Sequence, residues 1–214
     1  MGNRISFEGF CILSCGILRR ELSHLRSTGF LNADEILYTE PGLHANRDEL
    51  KSQLEIGIEN AKNYSQNIIV VYGNDCHPKM DEIVQGENIS RVEAENCIDM
   101  LADAARREKI SGGKPGSIFW LSPGWLDDTG KNRDVWERIY KDFMGWEDAD
   151  ANVNFGTYEK AIFLDPHPLL VYEEYTPEQI LEFSGWTHLP VVRQEITLDR
   201  LKCVLSKCVG EIRV

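Results

Sequence analysis

The chain has 214 residues, of which 42% are hydrophobic and 27% charged, so it is long enough to bury a core in one large domain. Its net charge of −12 excludes the basic face that nucleic acids or anionic membranes require, and neither is expected as a partner. No secretory or membrane-spanning segment is recognised, so the six cysteines are expected to be reduced thiols in the cytoplasm.

Predicted strands and helices alternate from the start of the chain. Residues 10–15 form a short apolar run closed by Gly16, and residues 17–26 carry leucines at helical spacing. The clearest strand, within residues 67–73, holds four consecutive β-branched residues, which is typical of a strand buried on both faces. Further strands are predicted at residues 35–38, 89–92, 117–122, 160–164 and 190–195, and further helices at residues 47–63, 95–109, 132–146, 177–184 and 198–209.

This alternation predicts a three-layer, Rossmann-like α/β fold, with a mostly parallel sheet and helices on both faces. We expect residues 1–214 to form a single domain. A loop rich in aspartate near residues 147–157 is where two lobes would divide. The sequence leaves open whether the chain forms a homo-oligomer.

Three of the six cysteines follow different predicted strands. Cys15 ends the first strand, Cys76 lies just beyond the third, and Cys97 follows the short fourth strand near the start of its helix. In an open parallel sheet, ligands bind at the edge where the carboxyl ends of the strands meet. His44, in the loop after the second strand, would add a donor there. The sequence therefore predicts a metal site made of Cys15, His44, Cys76 and Cys97.

Thiolates and imidazole favour zinc, iron–sulfur clusters or other soft metals, and zinc is the preferred ion here. A helix N-terminus near Cys15 and Cys97 would favour the thiolate form. No compact Cys-x-x-Cys pair is present, so the alternative is a set of unrelated core cysteines. Cys11, Cys203 and Cys208 are interpreted as core or surface thiols.

Three further residues are weaker candidates for a substrate pocket. His77 directly follows Cys76 and could be a ligand or a proton carrier, although a solvated loop histidine is an equal alternative. Asp99 could support Cys97, and Trp125, after a Pro-Gly turn, could form a pocket wall or fill the core. No Walker A, G-x-G-x-x-G, G-x-S-x-G or H-E-x-x-H motif is present, which disfavours kinases, common dehydrogenases and serine hydrolases.

The order of these motifs resembles a family known as a domain of unknown function, DUF1638. The matching segments are Cys-Gly-Ile-Leu-Arg-Arg-Glu at residues 15–21, Leu-His at 43–44, Tyr-Gly-Asn-Asp-Cys at 72–76, Asn-Cys-Ile at 96–98 and Pro-Gly-Trp at 123–125. The resemblance implies a link to anaerobic one-carbon metabolism and corrinoid methyltransferase systems of archaea and bacteria. It implies no established reaction.

Three functional hypotheses follow. The first is a metal-binding protein serving corrinoid methyl transfer, with a corrinoid protein or a methyltransferase as partner. The second is a non-catalytic accessory protein that carries a metal or a corrinoid. The third is a metal-free thiol enzyme in which Cys76 is the nucleophile and His77 the base. The sequence does not decide whether the protein is an enzyme.

Overall fold

The computed structural model describes residues 5–126, 138–147, 153–167 and 177–212. The chain divides into two compact units. The first contains the chain up to Met100 together with the segment from Asp199 onward, and the second runs from Leu101 to Leu198. The second unit is thus an insertion in the first, and the loop near residues 147–157 lies within the second unit instead of between the two.

The first unit is built on a four-stranded parallel sheet. Its strands lie in the order β2-β1-β3-β4, so β1 and β3 are the inner strands and β2 and β4 form the edges. Their bounds are β1 Phe10–Cys15, β2 Glu35–Thr39, β3 Asn67–Val71 and β4 Ile89–Arg91.

The second unit has a three-stranded parallel sheet in the order β5-β6-β7. Its core is aromatic, and Phe119 of the sheet stacks on Phe183 with ring centroids 5.8 Å apart. The bounds of its strands are β5 Ile118–Leu121, β6 Lys160–His167 and β7 Val191–Thr197. The mostly parallel α/β class is therefore confirmed, with its strands divided between two sheets.

The α-helices of the described residues are α1 Arg19–Ser27, α2 Arg47–Ala61, α3 Met80–Ile83, α4 Cys97–Leu101, α5 Ala104–Ser111, α6 Pro123–Leu126, α7 Pro177–Thr187 and α8 Asp199–Ile212. There are also 3₁₀ turns at Gly16–Leu18, Leu43–Ala45, Asn74–Cys76 and Pro115–Ser117 and a π-helical segment at Arg138–Phe143.

Helix α2 covers one face of the first sheet because its sequence is amphipathic. Asn46 caps the helix, and its side-chain oxygen accepts a hydrogen bond from the backbone N–H of Glu49 at 3.3 Å. Leu50, Leu54 and Ile58 follow at helical spacing and are buried in the core cluster, which also contains the side chains of Cys11 and Leu13. The same cluster packs against Cys15 and Cys76 at the end of the sheet.

Two local predictions differ from the structure. The single helix expected over residues 95–109 is broken into α4 and α5, because the Asp103 side chain accepts a hydrogen bond from the Arg106 N–H at 2.9 Å and caps a new helix. Pro123 begins the short helix α6 instead of a turn, since proline is well suited to a first helical position. The helix predicted over residues 132–146 lies partly outside the described residues.

No helix within the described ranges has both the length and the apolar composition needed to cross a lipid bilayer.

Candidate metal centre

The carboxyl edge of the first sheet carries the three predicted cysteines. Cys15 is the last residue of β1 and is paired in register with Thr39, the last residue of β2. Cys76 ends the 3₁₀ turn that follows β3, and Cys97 is the first residue of α4 after β4. All three are half-buried. Parallel strands therefore deliver one thiol each from β1, β3 and β4 to the same edge.

Backbone hydrogen bonds tie the loop before Cys76 to the loop before Cys97. The N–H of Asn74 donates to the carbonyl of Ala94 at 3.0 Å, and the N–H of Asp75 donates to the carbonyl of Glu95 at 2.9 Å. These bonds continue the pairing of the two parallel strands past their ends. The separation of the two loops is therefore fixed by main-chain contacts.

Two glycines permit the backbone to approach neighbouring segments closely at this edge of the sheet. A Cβ atom added to Gly73 would lie 2.1 Å from the Glu95 carbonyl oxygen and 2.5 Å from the Cα atom of Asn96. A Cβ atom added to Gly16 would lie 2.8 Å from the carbonyl oxygen of Thr39. Because the obstructing atoms belong to the backbone, neither position has room for a side chain. Glycine is therefore required next to Cys15 and three residues before Cys76, because a larger residue would collide with the neighbouring backbone.

The three thiols, which we call the thiol cluster, influence one another electrostatically. Burial, followed by the proximity of Cys15, raises the pKa of the Cys76 thiol to about 12. Burial raises the pKa of Cys97 well above its ordinary value, and Cys15 and Cys76 both add to the rise. Such mutual effects require that Cys15, Cys76 and Cys97 lie near one another.

Tyr72 and Thr39 belong to the same edge, although the sequence analysis did not single them out. The buried hydroxyl of Tyr72 forms a hydrogen bond with the hydroxyl of Thr39. It also forms a side-chain hydrogen bond with Cys15, and burial, followed by the proximity of Cys15, raises the pKa of the phenol well above its ordinary value. The signal in the sequence was a hydroxyl-bearing residue at the end of each of the two strands that lie on either side of β1.

Glu21 brings a carboxylate to the thiol cluster. This residue of α1 is completely buried, and its charge is among the causes that raise the pKa of Cys97. It is also the glutamate that closes the motif beginning at Cys15. No signal in the sequence indicated its burial, because Glu21 follows two arginines and has an apolar neighbour on one side only.

Asp99 fixes the loop that leads into Cys97. Its carboxylate accepts a hydrogen bond from the N–H of Glu95 at 3.4 Å and an ion-paired hydrogen bond from Arg200 of α8 at 3.2 Å. Arg200 also donates to the carbonyl of Glu93 at 3.3 Å. Asp99 is buried, so the pair holds the β4–α4 loop from the side of α8.

The hydrogen bonding of His77 does not suit a role as a general base. The ring is buried, and its Nδ1 atom accepts a hydrogen bond from the backbone N–H of Lys79 at 3.0 Å. A neutral imidazole that accepts at Nδ1 carries its proton on Nε2, so it has no free lone pair to deprotonate Cys76. Together with the raised thiol pKa, this geometry does not favour a metal-free nucleophile–base pair.

His44 and Trp125 are placed without a demonstrated link to the thiols. His44 belongs to the 3₁₀ turn after β2, where partial desolvation of its ring lowers the imidazole pKa. Its role as the fourth ligand stays a prediction. Trp125 belongs to the second unit, where its ring meets that of Phe119 edge-on with centroids 6.0 Å apart.

The remaining cysteines behave as ordinary thiols. Burial raises the pKa of Cys11 in β1 and of Cys208 in α8, each to about 11. The thiol of Cys208 also lies 3.4 Å from the carbonyl oxygen of Val204. Cys203 is exposed on the same helix and offers a natural control in cysteine chemistry.

The thiol cluster is not a preformed metal cage. Within the described residues, no group of three or more histidine, cysteine, aspartate or glutamate side chains is arranged so that it could hold a metal ion. The donor types nevertheless suit a soft metal, since three thiols lie at the same edge of the first sheet. Binding a metal would require the thiols to lose their protons and turn toward a common point.

Residues 38–205 match the family described as Protein of unknown function (DUF1638). The chain belongs to this family. The matched range contains Cys76, Cys97 and His44 and excludes Cys15. No curated protein and no solved structure matches the chain. The function proposed for this DUF1638 protein therefore rests on its own residues.

We expect Tyr72→Phe to lower the free energy of unfolding by about 1–2 kcal/mol, because it removes a buried hydroxyl that bonds Thr39 and Cys15. Urea unfolding followed by circular dichroism measures the change. Tyr64→Phe is the matched control, since the Tyr64 side chain is largely exposed and its loss of a hydroxyl should cost less than about 0.5 kcal/mol. Equal effects of the two substitutions would contradict the assignment.

Alkaline pH should destabilise the metal-free protein. The folded state holds the Cys76 thiol neutral up to about pH 12, whereas an unfolded chain ionises it near its ordinary pKa of 9.0. The contribution is thus complete below pH 9.0 and is lost as the pH rises through the folded-state pKa. Urea midpoints should fall between about pH 8 and about pH 10.5, and less steeply in Cys76→Ser. Identical slopes for the two proteins would refute this.

Proposed function

We propose that this protein uses Cys15, Cys76 and Cys97 to bind a soft metal ion, with zinc preferred over an iron–sulfur cluster, and that it acts in anaerobic one-carbon metabolism in the cytoplasm. The observation that supports the proposal is the position of the three thiols, which end or follow β1, β3 and β4 at one edge of the first sheet. Ligands of open parallel sheets bind at that edge.

The donor set fits zinc better than a lighter metal. Sulfur ligands select zinc and other soft ions over magnesium or calcium, and three thiolates leave a coordination position for a fourth ligand or a substrate. Two candidates exist for the fourth position. His44 was predicted from its loop, whereas Glu21 has the stronger support because its charge acts on Cys97.

Zinc bound here would supply positive charge that keeps sulfur in its thiolate form and would act as a Lewis acid. The chain itself would orient the sulfur atoms, through Tyr72 at Cys15 and through the two backbone hydrogen bonds before Cys97. A thiolate of this kind is a good methyl acceptor, which agrees with the corrinoid link that the family resemblance implies. The expected partner is a corrinoid protein or a methyltransferase.

A carrier role uses the same residues without turnover. In that version the protein delivers a metal, or binds a corrinoid or its protein partner, and the thiol cluster is a transfer site. Methyl transfer from a methylated corrinoid to a thiol, measured with and without the protein, separates an enzyme from a carrier. A partner captured without any acceleration of methyl transfer favours the carrier.

Metal content is the direct test of the proposal. Protein purified without oxygen should contain close to one metal equivalent per chain by elemental analysis, and a visible absorption spectrum should separate an iron–sulfur cluster from colourless zinc. Cys76→Ser and Cys97→Ser should each lose most of the metal. Cys203→Ser should retain it, because this thiol is exposed on α8 and lies outside the cluster.

Two outcomes would overturn the proposal. Protein that contains no metal, and takes up none from added zinc, has no such centre. Metal that remains bound in both Cys76→Ser and Cys97→Ser lies elsewhere. Selective alkylation of Cys76 at neutral pH in metal-free protein would instead support the thiol enzyme, although the raised thiol pKa predicts slow reaction there.

A further inference from the structure

A cavity lies between helix α2 and strand β2, the edge strand of the first sheet. Its volume is about 300 Å³, which is at the lower end of the range for small-molecule sites. We call it the edge cavity. Its lining residues are Leu13, Leu37, Tyr38, Thr39, Gln53, Ile56, Gly57, Asn60, Asn63 and Tyr64.

The polar groups of the edge cavity are all uncharged. Three carboxamides, from Gln53, Asn60 and Asn63, line it, and none of them makes a side-chain hydrogen bond with other residues that the structure describes. A carboxamide offers both donors and an acceptor, so it pairs best with a ligand that carries both. With no charged side chain in the lining and a net charge of −12 on the chain, an anionic ligand finds no countercharge.

Apolar side chains form the rest of the surface. Ile56 of α2 and Tyr64 in the turn that follows α2 are each 52% exposed, whereas α2 buries its other apolar residues. Gly57 follows Ile56 in α2, and a Cβ atom there would come within 2.8 Å of the Leu13 side chain. The absence of a side chain at Gly57 thus lets α2 approach β1 while the cavity beside it stays open.

From these features we infer that the edge cavity binds a small, flat, neutral molecule that carries a carboxamide or an equivalent donor–acceptor pair. The apolar surface of Ile56 and Leu37 would cover the ring of such a molecule. Gln53 and Asn60, which lie about two helical turns apart on the same stripe of α2, would bond its polar groups.

Thr39 connects the edge cavity to the thiol cluster. It lines the cavity, and its hydroxyl bonds Tyr72, which in turn bonds Cys15. A molecule in the cavity therefore lies within two side chains of the proposed metal centre. Binding itself depends on the cavity residues alone and requires no metal.

Benzamide and benzoate are the probes, because they have the same shape and differ in charge. Each is titrated into the full-length, ¹⁵N-labelled chain. Benzamide should shift the side-chain NH₂ signals of Gln53 and Asn60, and it should bind about tenfold more tightly than benzoate. Asn60→Leu should weaken benzamide binding about fivefold, the effect of one lost hydrogen bond.

The matched control is Ser52→Leu, at an exposed position of α2 that does not line the cavity. It should bind benzamide as the unmodified chain does. If Asn60→Leu fails to fold, Gln53→Leu serves in its place. Equal binding of the two probes, unchanged binding by Asn60→Leu, or signal shifts confined to residues outside the lining would each overturn the inference.

A titration of Cys76→Ser separates this inference from the proposed function. Cys76 does not line the edge cavity, so benzamide should bind this variant as it binds the unmodified chain. A metal-free protein that still binds benzamide supports the cavity and refutes only the metal centre. A protein that binds metal but neither probe supports the metal centre and refutes the inference about the edge cavity.

Discussion

Gly73→Ala should lower the free energy of unfolding by about 2–3 kcal/mol, a large part of the total stability of a typical domain. A methyl group at this position would meet the Glu95 carbonyl oxygen at 2.1 Å and the Asn96 Cα atom at 2.5 Å. Both are backbone atoms, so a rotamer change cannot relieve the clash. The loop of Asn74 must move, and its hydrogen bond to Ala94 is lost. Urea unfolding measures the effect.

The same substitution should also separate Cys76 from Cys97. If the proposed metal centre is correct, Gly73→Ala should retain less metal than the unmodified chain at equal zinc concentration. Gly210→Ala is the matched control in the first unit, since a Cβ atom there has open space within helix α8. That change should be neutral or stabilising by up to about 1 kcal/mol. Comparable destabilisation by both variants would show that the loop contact is unimportant.

Arg200→Ala should destabilise the first unit by about 2 kcal/mol. It removes the ion-pair partner of the buried Asp99 and a hydrogen bond to the Glu93 carbonyl. This loss is smaller than that of a fully buried pair because part of the Arg200 side chain is exposed, which weakens the interaction. Asp99 would then hold the loop before Cys97 less firmly, so zinc affinity should fall about tenfold, the smaller of the effects known for residues that support metal ligands.

Lys207→Ala provides the comparison on the same helix. Its ammonium group also reaches Glu93, through the side-chain carboxylate at 3.0 Å, but both groups of this pair are exposed. Exposed pairs contribute less than about 1 kcal/mol, so stability and zinc affinity should change little. An equal loss in the two variants would mean that general charge removal, and not the bond to Asp99, is responsible.

The strands of the first sheet were predictable because their burial is recorded in local sequence. Ile68, Ile69, Val70 and Val71 are all fully buried, as expected for a strand covered on both faces. Once β1, β3 and β4 were known to be parallel strands, the common location of Cys15, Cys76 and Cys97 followed from topology.

Other parts of the site depend on contacts that no local pattern contains. Thr39 and Tyr72 meet across 33 residues of sequence, and their bond requires the register of strands on either side of β1. Arg200 reaches Asp99 across 101 residues, because the second unit separates them in the chain. The helix break at Asp103 was in principle visible, since aspartate is a preferred capping residue, but the apolar pattern continued through it.

The insertion of the second unit also determines the order in which the protein can be completed during synthesis. Domains begin to fold while the ribosome is still adding residues, and the segment from Leu101 to Leu198 is synthesised before helix α8. Without α8, Asp99 has no Arg200 as its partner, so the β4–α4 loop that leads into Cys97 is held less firmly. If the proposed metal centre is correct, a chain from which α8 has been deleted should therefore bind zinc more weakly than the full chain.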